Sequence, residues 1–255
     1  MELVNYREDD AVAVIELNRP PVNALNPQLI SDLGEAMVLA GSESVRAVVI
    51  TGGARFAAGA DITQFKASFD AGSKERQASG LSEVVAQLED LRKPTIAAVL
   101  GVALGGGLEL AMGADFRYLG EGARVGQPEI LLGLIPGAGG TQRLARIVGP
   151  QQCKALCMTG RHVMADEALR IGLADKVAPD DQLMELAMAD ARTFAAGPTV
   201  ALAAAKRAIR EGFDSDLESG LAIEAEAFAE SFASEDARIG VTAFLAKEKP
   251  EFSGR

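Results

Sequence analysis

Two glutamates pose the first chemical question of this 255-residue chain. Glu109 sits in "LGGGLELAMGAD" (104–115), behind three glycines and ahead of Leu110, Ala111 and Met112. Glu129 follows twenty residues later in "GQPEILLG". A carboxylate set among apolar groups is costly unless something nearby offsets its desolvation. For Glu109 one compensation is local, because the first turn of a helix favours an anion. That leaves the apolar wall beyond it unexplained. Taken singly, each acid reads as a glutamate at a helix N-terminus. Two of them beside glycine loops in apolar settings are what shared activation of one water requires.

Elimination narrows the remaining chemistry. The one histidine, His162, lies in "TGRHVMADEAL" and reads as a surface or capping residue. Ser–His–Asp and thiol–imidazole mechanisms therefore have almost nothing to work with. No His/Cys cluster has zinc spacing, so no metal is expected. Neither "GGGLE" nor "GAGGT" fits a dinucleotide fingerprint, and no Gly-Lys-Ser/Thr phosphate loop exists. Carboxylates and backbone amides are left to carry any catalysis. Three glycine-rich loops could supply the amides: "FAAGAD" (56–61), "LGGGLE" (104–109) and "GLIPGAGG" (133–140). Alone, each is a tight turn. Together, beside acids, they offer free N–H groups to an anionic oxygen.

The elements that must position these groups alternate. "AVAVIELNRP", "RAVVITGG" and "PTIAAVLG" are apolar, β-branched runs and read as strands. "NPQLISDLGEAMVLA" has helical spacing at Leu29, Leu33, Ala36 and Met37, with Asn26 as N-cap and Pro27 at the first helical position. Such alternation implies parallel strands and right-handed crossovers. Residues 69–80, polar with Gly and Ser, read as a surface loop. Beyond about residue 140 the chain becomes helical. Its last stretch, roughly 217–247, carries Phe228, Phe232 and Phe244, aromatic anchors that pack on the chain's own core or on a second subunit.

Bulk properties bound the function class. A net charge of −11 argues against nucleic acid or an anionic membrane as partner. The best candidate for a membrane span, residues 95–114, holds five glycines and Glu109, and reads instead as strand, turn and helix. Cys153 and Cys157 fall four apart on one helix face and read as thiols in a reducing compartment. With no apolar signal segment in "MELVNYREDD" and no sorting motif in "KPEFSGR", the expected location is cytoplasmic.

"NRPPVNALN", "FAAGADI", "LGGGLELAMGAD", "GQPEILLGLIPGAGGTQRL" and "EDARIGVTAFLAKEKPEF" together resemble the enoyl-CoA hydratase/isomerase (crotonase) superfamily, in order and over nearly the whole chain. The resemblance implies an α/β fold: a spiral of ββα units building two packed sheets (1–195), then a helical trimerisation region (196–255). It implies a homotrimer or a hexamer built as a dimer of trimers. It also implies an acyl-CoA thioester substrate whose enolate is held by the N–H groups of Ala60 and Gly106, with no separate cofactor, coenzyme A being part of the substrate. Glutamates at both acid positions match members that add water syn across a 2-enoyl-CoA. By that analogy Glu129 delivers a proton to C2 while Glu109 orients and activates the water, and Gly137 lines the pocket. Coenzyme A contacts carried over are Val22, Ala24, Ala58 and Ile62, with Phe244 and Lys247 from a neighbouring subunit. Two departures stand out: Thr63 replaces a lysine of well-studied hydratases, and the first loop is one residue shorter. The alternatives are an isomerase, a hydratase of a branched or aromatic-pathway acyl-CoA, and a non-catalytic acyl-CoA-binding protein.

Overall fold

The structure, a computed structural model, describes residues 1–72 and 80–255. Its first hairpin joins β1 (Val4–Asp9) to β2 (Val12–Leu17), antiparallel, with Asp9 opposite Val12. The two-residue turn between them, Asp10 and Ala11, has φ of 49° and 62°, the twist that suits flanking strands. A crossover helix, α1 (Pro27–Ala40), leads to β3 (Ala47–Thr51). As the sequence indicates, Asn26 caps α1: its side chain accepts from Leu29 N at 2.9 Å, and Pro27 opens the helix without wasting a donor.

Next come α2 (Ile62–Asp70), α3 (Leu81–Asp90) and β4 (Thr95–Val99). The loop expected at 69–80 is thus narrower, since α2 runs through Asp70; residues 73–79 lie outside the described residues. The apolar stretch 95–114 folds as β4, β5 (Val102–Leu104) and α4 (Gly106–Met112). Among the described residues no helix is long and apolar enough to cross a membrane. Then follow β6 (Phe116–Gly120), β7 (Arg124–Gly126), a 3-10 turn at Pro128–Leu132, and α5 (Gly140–Thr159), broken at Gly149 before Pro150. The chain continues with β8 (His162–Met164), α6 (Ala165–Arg170), β9 (Lys176–Ala178) and α7 (Leu183–Ala195). It closes with α8 (Thr199–Phe213), α9 (Leu217–Phe232) and α10 (Glu235–Ala246). His162 therefore opens a short strand rather than a loop, and it is exposed.

Two sheets result. The larger has order β1-β2-β3-β4-β6-β9, parallel except at β1–β2; the smaller has order β5-β7-β8. Strands β3 and β4 are buried at every position, as expected when both faces are covered. One face packs on α1, α3, α4 and the smaller sheet; the other packs on α7 through Val14, Val49, Ile96 and Ala187. The three last helices instead leave apolar side chains in solvent: Phe213, Leu217, Phe232, Phe244 and Leu245 are 68–81% exposed. Phe228 and Phe232 stack at 5.9 Å between ring centroids.

Candidate active site

The smaller sheet carries the site. Strand β5 ends at Leu104 and α4 starts at Gly106, so the chain goes from extended to helical across a single residue, Gly105. At Gly105, whose φ is +51°, a Cβ would lie 2.7 Å from Glu129 Oε1, so a side chain here would strain the backbone and push the acid aside. Every residue of α4 is buried, including Glu109 at 3% exposure. Its carboxylate is compensated twice. It lies in the first turn of α4, and its Oε1 accepts from Ala138 N at 2.6 Å and Gly140 N at 2.7 Å. Gly140 is also the first residue of α5, so Glu109 faces the positive ends of two helices. Backbone N–H groups only donate, so Oε1 is the acceptor for both. This accounts for an acid in a helix buried along its whole length.

The loop "FAAGAD" is stitched on both sides. Ala57 pairs with β5 (Ala57 N donates to Val102 O at 3.0 Å, Leu104 N to Ala57 O at 3.0 Å), and Ala58 N donates to Val22 O at 2.9 Å. Gly59, with φ of +108°, then reverses the alternation of the strand. Leu25 N donates to Gly59 O and Asp61 N to Leu25 O, which leaves the N–H of Ala60 between them pointing away from Leu25. On that side stands Gly106, whose own N–H is one of the unspent donors of the first turn of α4. A Cβ on Gly106 would lie 3.7 Å from Ala60 N, so the two amides are neighbours.

Glu129 arrives on the 3-10 turn after β7 and is half-buried. Burial pushes its carboxyl up to about 7; the Glu109 charge adds to the rise and the amide of Glu129 itself opposes it. Gln127, fully buried just before it, lays its side-chain amide against the carboxyl; with the amide turned to put its nitrogen on that side, the nitrogen lies 3.0 and 3.1 Å from the two oxygens.

Glu109, Glu129, Ala60, Gly106 and Gly137 all line one cavity of about 260 Å³. Ala58 and Ile62 line it too. Its apolar walls come from five segments: Leu25 before α1, Ile30 of α1, Phe65 of α2, Leu81 of α3, and Leu134 and Ile135 after the 3-10 turn. A larger cavity of about 380 Å³ lies under α8, but its acids Glu89 and Asp115 are each held in an ion pair, with Arg143 and Lys206. Val22 and Ala24 stand behind the cavity, their carbonyls accepting from Ala58 N and Arg19 Nη1. Phe244 (α10) and Lys247, the left-handed residue that ends α10, do not line it. The hydroxyl of Thr63 donates to the Asp61 carboxylate at 2.6 Å, and Asp61 also caps α2. Among the described residues no group of three His, Cys, Asp or Glu could hold a metal ion. Sequence reasoning passed over Gln127, which stands next to Pro128 in the Glu129 motif. It marked the loop 133–140 as a source of amides, but not that Ala138 and Gly140 spend theirs on Glu109.

The arrangement offers two backbone donors, a clamped carboxylate and a carboxyl that titrates near neutrality, facing one partly apolar cavity. Known proteins resemble the chain over its whole length. The enoyl-CoA hydratase/isomerase family matches residues 7–255. The short-chain-enoyl-CoA hydratase of Clostridium acetobutylicum is 42% identical, covering 98% of both chains. The crotonyl-CoA hydratase of Syntrophomonas wolfei is 41% identical, again over 98% of both. The solved structure of an enoyl-CoA hydratase from Bacillus anthracis superposes with a TM-score of 0.92 at 36% identity, covering 99% of this chain and all of that one.

Proposed function

The chain belongs to the enoyl-CoA hydratase/isomerase family, and on that premise we propose that it adds water syn across the 2,3 double bond of a trans-2-enoyl-CoA, giving the 3-hydroxyacyl-CoA. The observation that carries this reading is the contrast between the two acids on one cavity. Glu109 is fixed as an acceptor by two amides, whereas Glu129 keeps its proton up to about pH 7. Carboxylates whose environments are pushed apart are suited to opposite halves of a proton transfer.

The thioester oxygen takes the N–H groups of Ala60 and Gly106, whose dipoles meet the negative charge as it develops. A water between the acids gives its oxygen to C3 and a proton to Glu109, while Glu129 delivers its proton to C2. Proton exchange between the acids through the next water restores the pair. One such acid–base group contributes on the order of 10²–10⁴ in rate. No redox step and no metal enters, and coenzyme A is part of the substrate. The segment around Val22 and Ala24, with Ala58 and Ile62, takes the coenzyme. Phe244 and Lys247, which do not line the cavity of their own chain, serve a neighbouring subunit. We take residues 1–195 as the catalytic core and 196–255 as the assembly region of a homotrimer or a dimer of trimers. The exposed aromatic face of α9 and α10 supports that reading. Two free thiols fit a cytoplasmic protein.

The test is direct. Purified protein mixed with crotonyl-CoA should abolish the absorbance of the conjugated enoyl thioester as hydration proceeds. Unchanged absorbance with C4 to C16 enoyl-CoAs would refute the proposal.

A further inference from the structure

The loop that clamps Glu109 is itself held from behind. Three successive peptide groups span residues 137–140. The outer two turn their N–H groups inward, Ala138 N and Gly140 N, both onto Glu109 Oε1. The middle one turns its carbonyl the other way, where Arg143 Nη1 donates to Ala138 O at 3.2 Å. Arg143 sits in the first turn of α5, and its own backbone N donates to Gly139 O at 2.8 Å. The guanidinium is in turn aimed by Glu89 of α3, whose Oε2 accepts from Nη2 at 2.6 Å and from Nε at 3.2 Å. The pair is largely shielded, with the Arg143 side chain 19% exposed.

Ala138 is fully buried. Without the guanidinium its carbonyl would lose a charged donor in a dry site, a cost relieved by shifting residues 138–139 outward, toward water. That displacement carries the Ala138 and Gly140 N–H groups away from Glu109. We infer that Arg143 is a positioning residue for the hydration reaction, holding the 138–140 loop so that both amides stay on Glu109, with Glu89 fixing the direction of the guanidinium. Helix α3 then meets the site at both ends, through Leu81 on the cavity wall and Glu89 on the clamp. The inference rests on the reading of Glu109 as the carboxylate that activates water.

The experiment measures kcat and KM for crotonyl-CoA in wild type, Arg143→Met, Arg143→Lys and Glu89→Gln, and repeats Arg143→Met and Glu89→Gln in a Glu109→Gln background. Displacing a catalytic group by a fraction of an ångström should lower kcat of Arg143→Met at least about tenfold, with KM within about threefold because no acyl-CoA contact is removed. Arg143→Lys, which keeps the charge and one donor, should recover part of the loss. In the Glu109→Gln background Arg143→Met should change single-turnover rates by less than about twofold, since a residue that acts through a carboxylate has nothing left to act on. A folded Arg143→Met with kcat within about twofold of wild type overturns the inference, as does an equal loss in both backgrounds. Should Arg143→Met not fold, Glu89→Gln decides by the same comparison: a kcat loss of about threefold or more confined to the Glu109 background supports it, and wild-type kcat overturns it. A wild-type protein that hydrates no enoyl-CoA would instead refute the hydration reading.

Discussion

Replacing Glu129 by Gln should make the protein more stable at alkaline pH while removing its activity. In the folded chain burial lifts the Glu129 carboxyl from 4.5 to about 7. Between those values the folded state keeps a proton that the unfolded state has released, so raising the pH through this window costs stability. At about 1.4 kcal/mol per pH unit the rise is worth at most about 3.4 kcal/mol. The carboxyl is only half-buried, so water screens it, and about 1–2 kcal/mol is the expected cost. A glutamine carries no such penalty. Equilibrium guanidinium unfolding of both proteins, at one fixed protein concentration to hold assembly constant, should show Glu129→Gln gaining about 1–2 kcal/mol on wild type as pH rises from 5 to 8.5. The same difference at both pH values would refute the reasoning, because it would mean that Glu129 does not titrate in that window.

Three further outcomes follow from the same geometry. Hydration kcat/KM should fall above about pH 7, as Glu129 loses the proton it must donate, and a pH–rate profile of Glu129→Gln should lack that limb. Gly105→Ala drives a methyl to within 2.7 Å of Glu129 Oε1 and should lower kcat about a hundredfold or more in a steady-state assay. Sedimentation should find a trimer or hexamer, and placing Glu at both Phe228 and Phe232, which are 66% and 69% exposed in the isolated chain, should shift it toward monomer.

Much of this molecule is legible locally. Asn26 and Pro27 announce α1, and the apolar runs of β2, β3 and β4 are long enough to mark strands buried on both faces. Strand β1 escaped because its positive-φ turn is made by Asp10 and Ala11, with no glycine to mark it, and because its second half, Arg7, Glu8 and Asp9, is wholly charged. The acids themselves were visible as anomalies, charges in apolar company. Their compensation was not. The glycines of 133–140 marked a source of free amides, but that Ala138 and Gly140 spend theirs on Glu109, across β6, β7 and the 3-10 turn, required the fold. Thr63 shows the converse. Its departure from the family pattern was plain in the sequence, but its engagement with the Asp61 cap required the fold.

The central claim is that Glu109 and Glu129 act on one water from opposite sides of a proton transfer. Rates of crotonyl-CoA hydration by Glu109→Gln and Glu129→Gln, measured beside wild type, test it most directly. Each substitution should cost at least about a hundredfold in kcat, the lower end of what a positioned acid or base contributes. Wild-type turnover surviving in either variant would contradict the account.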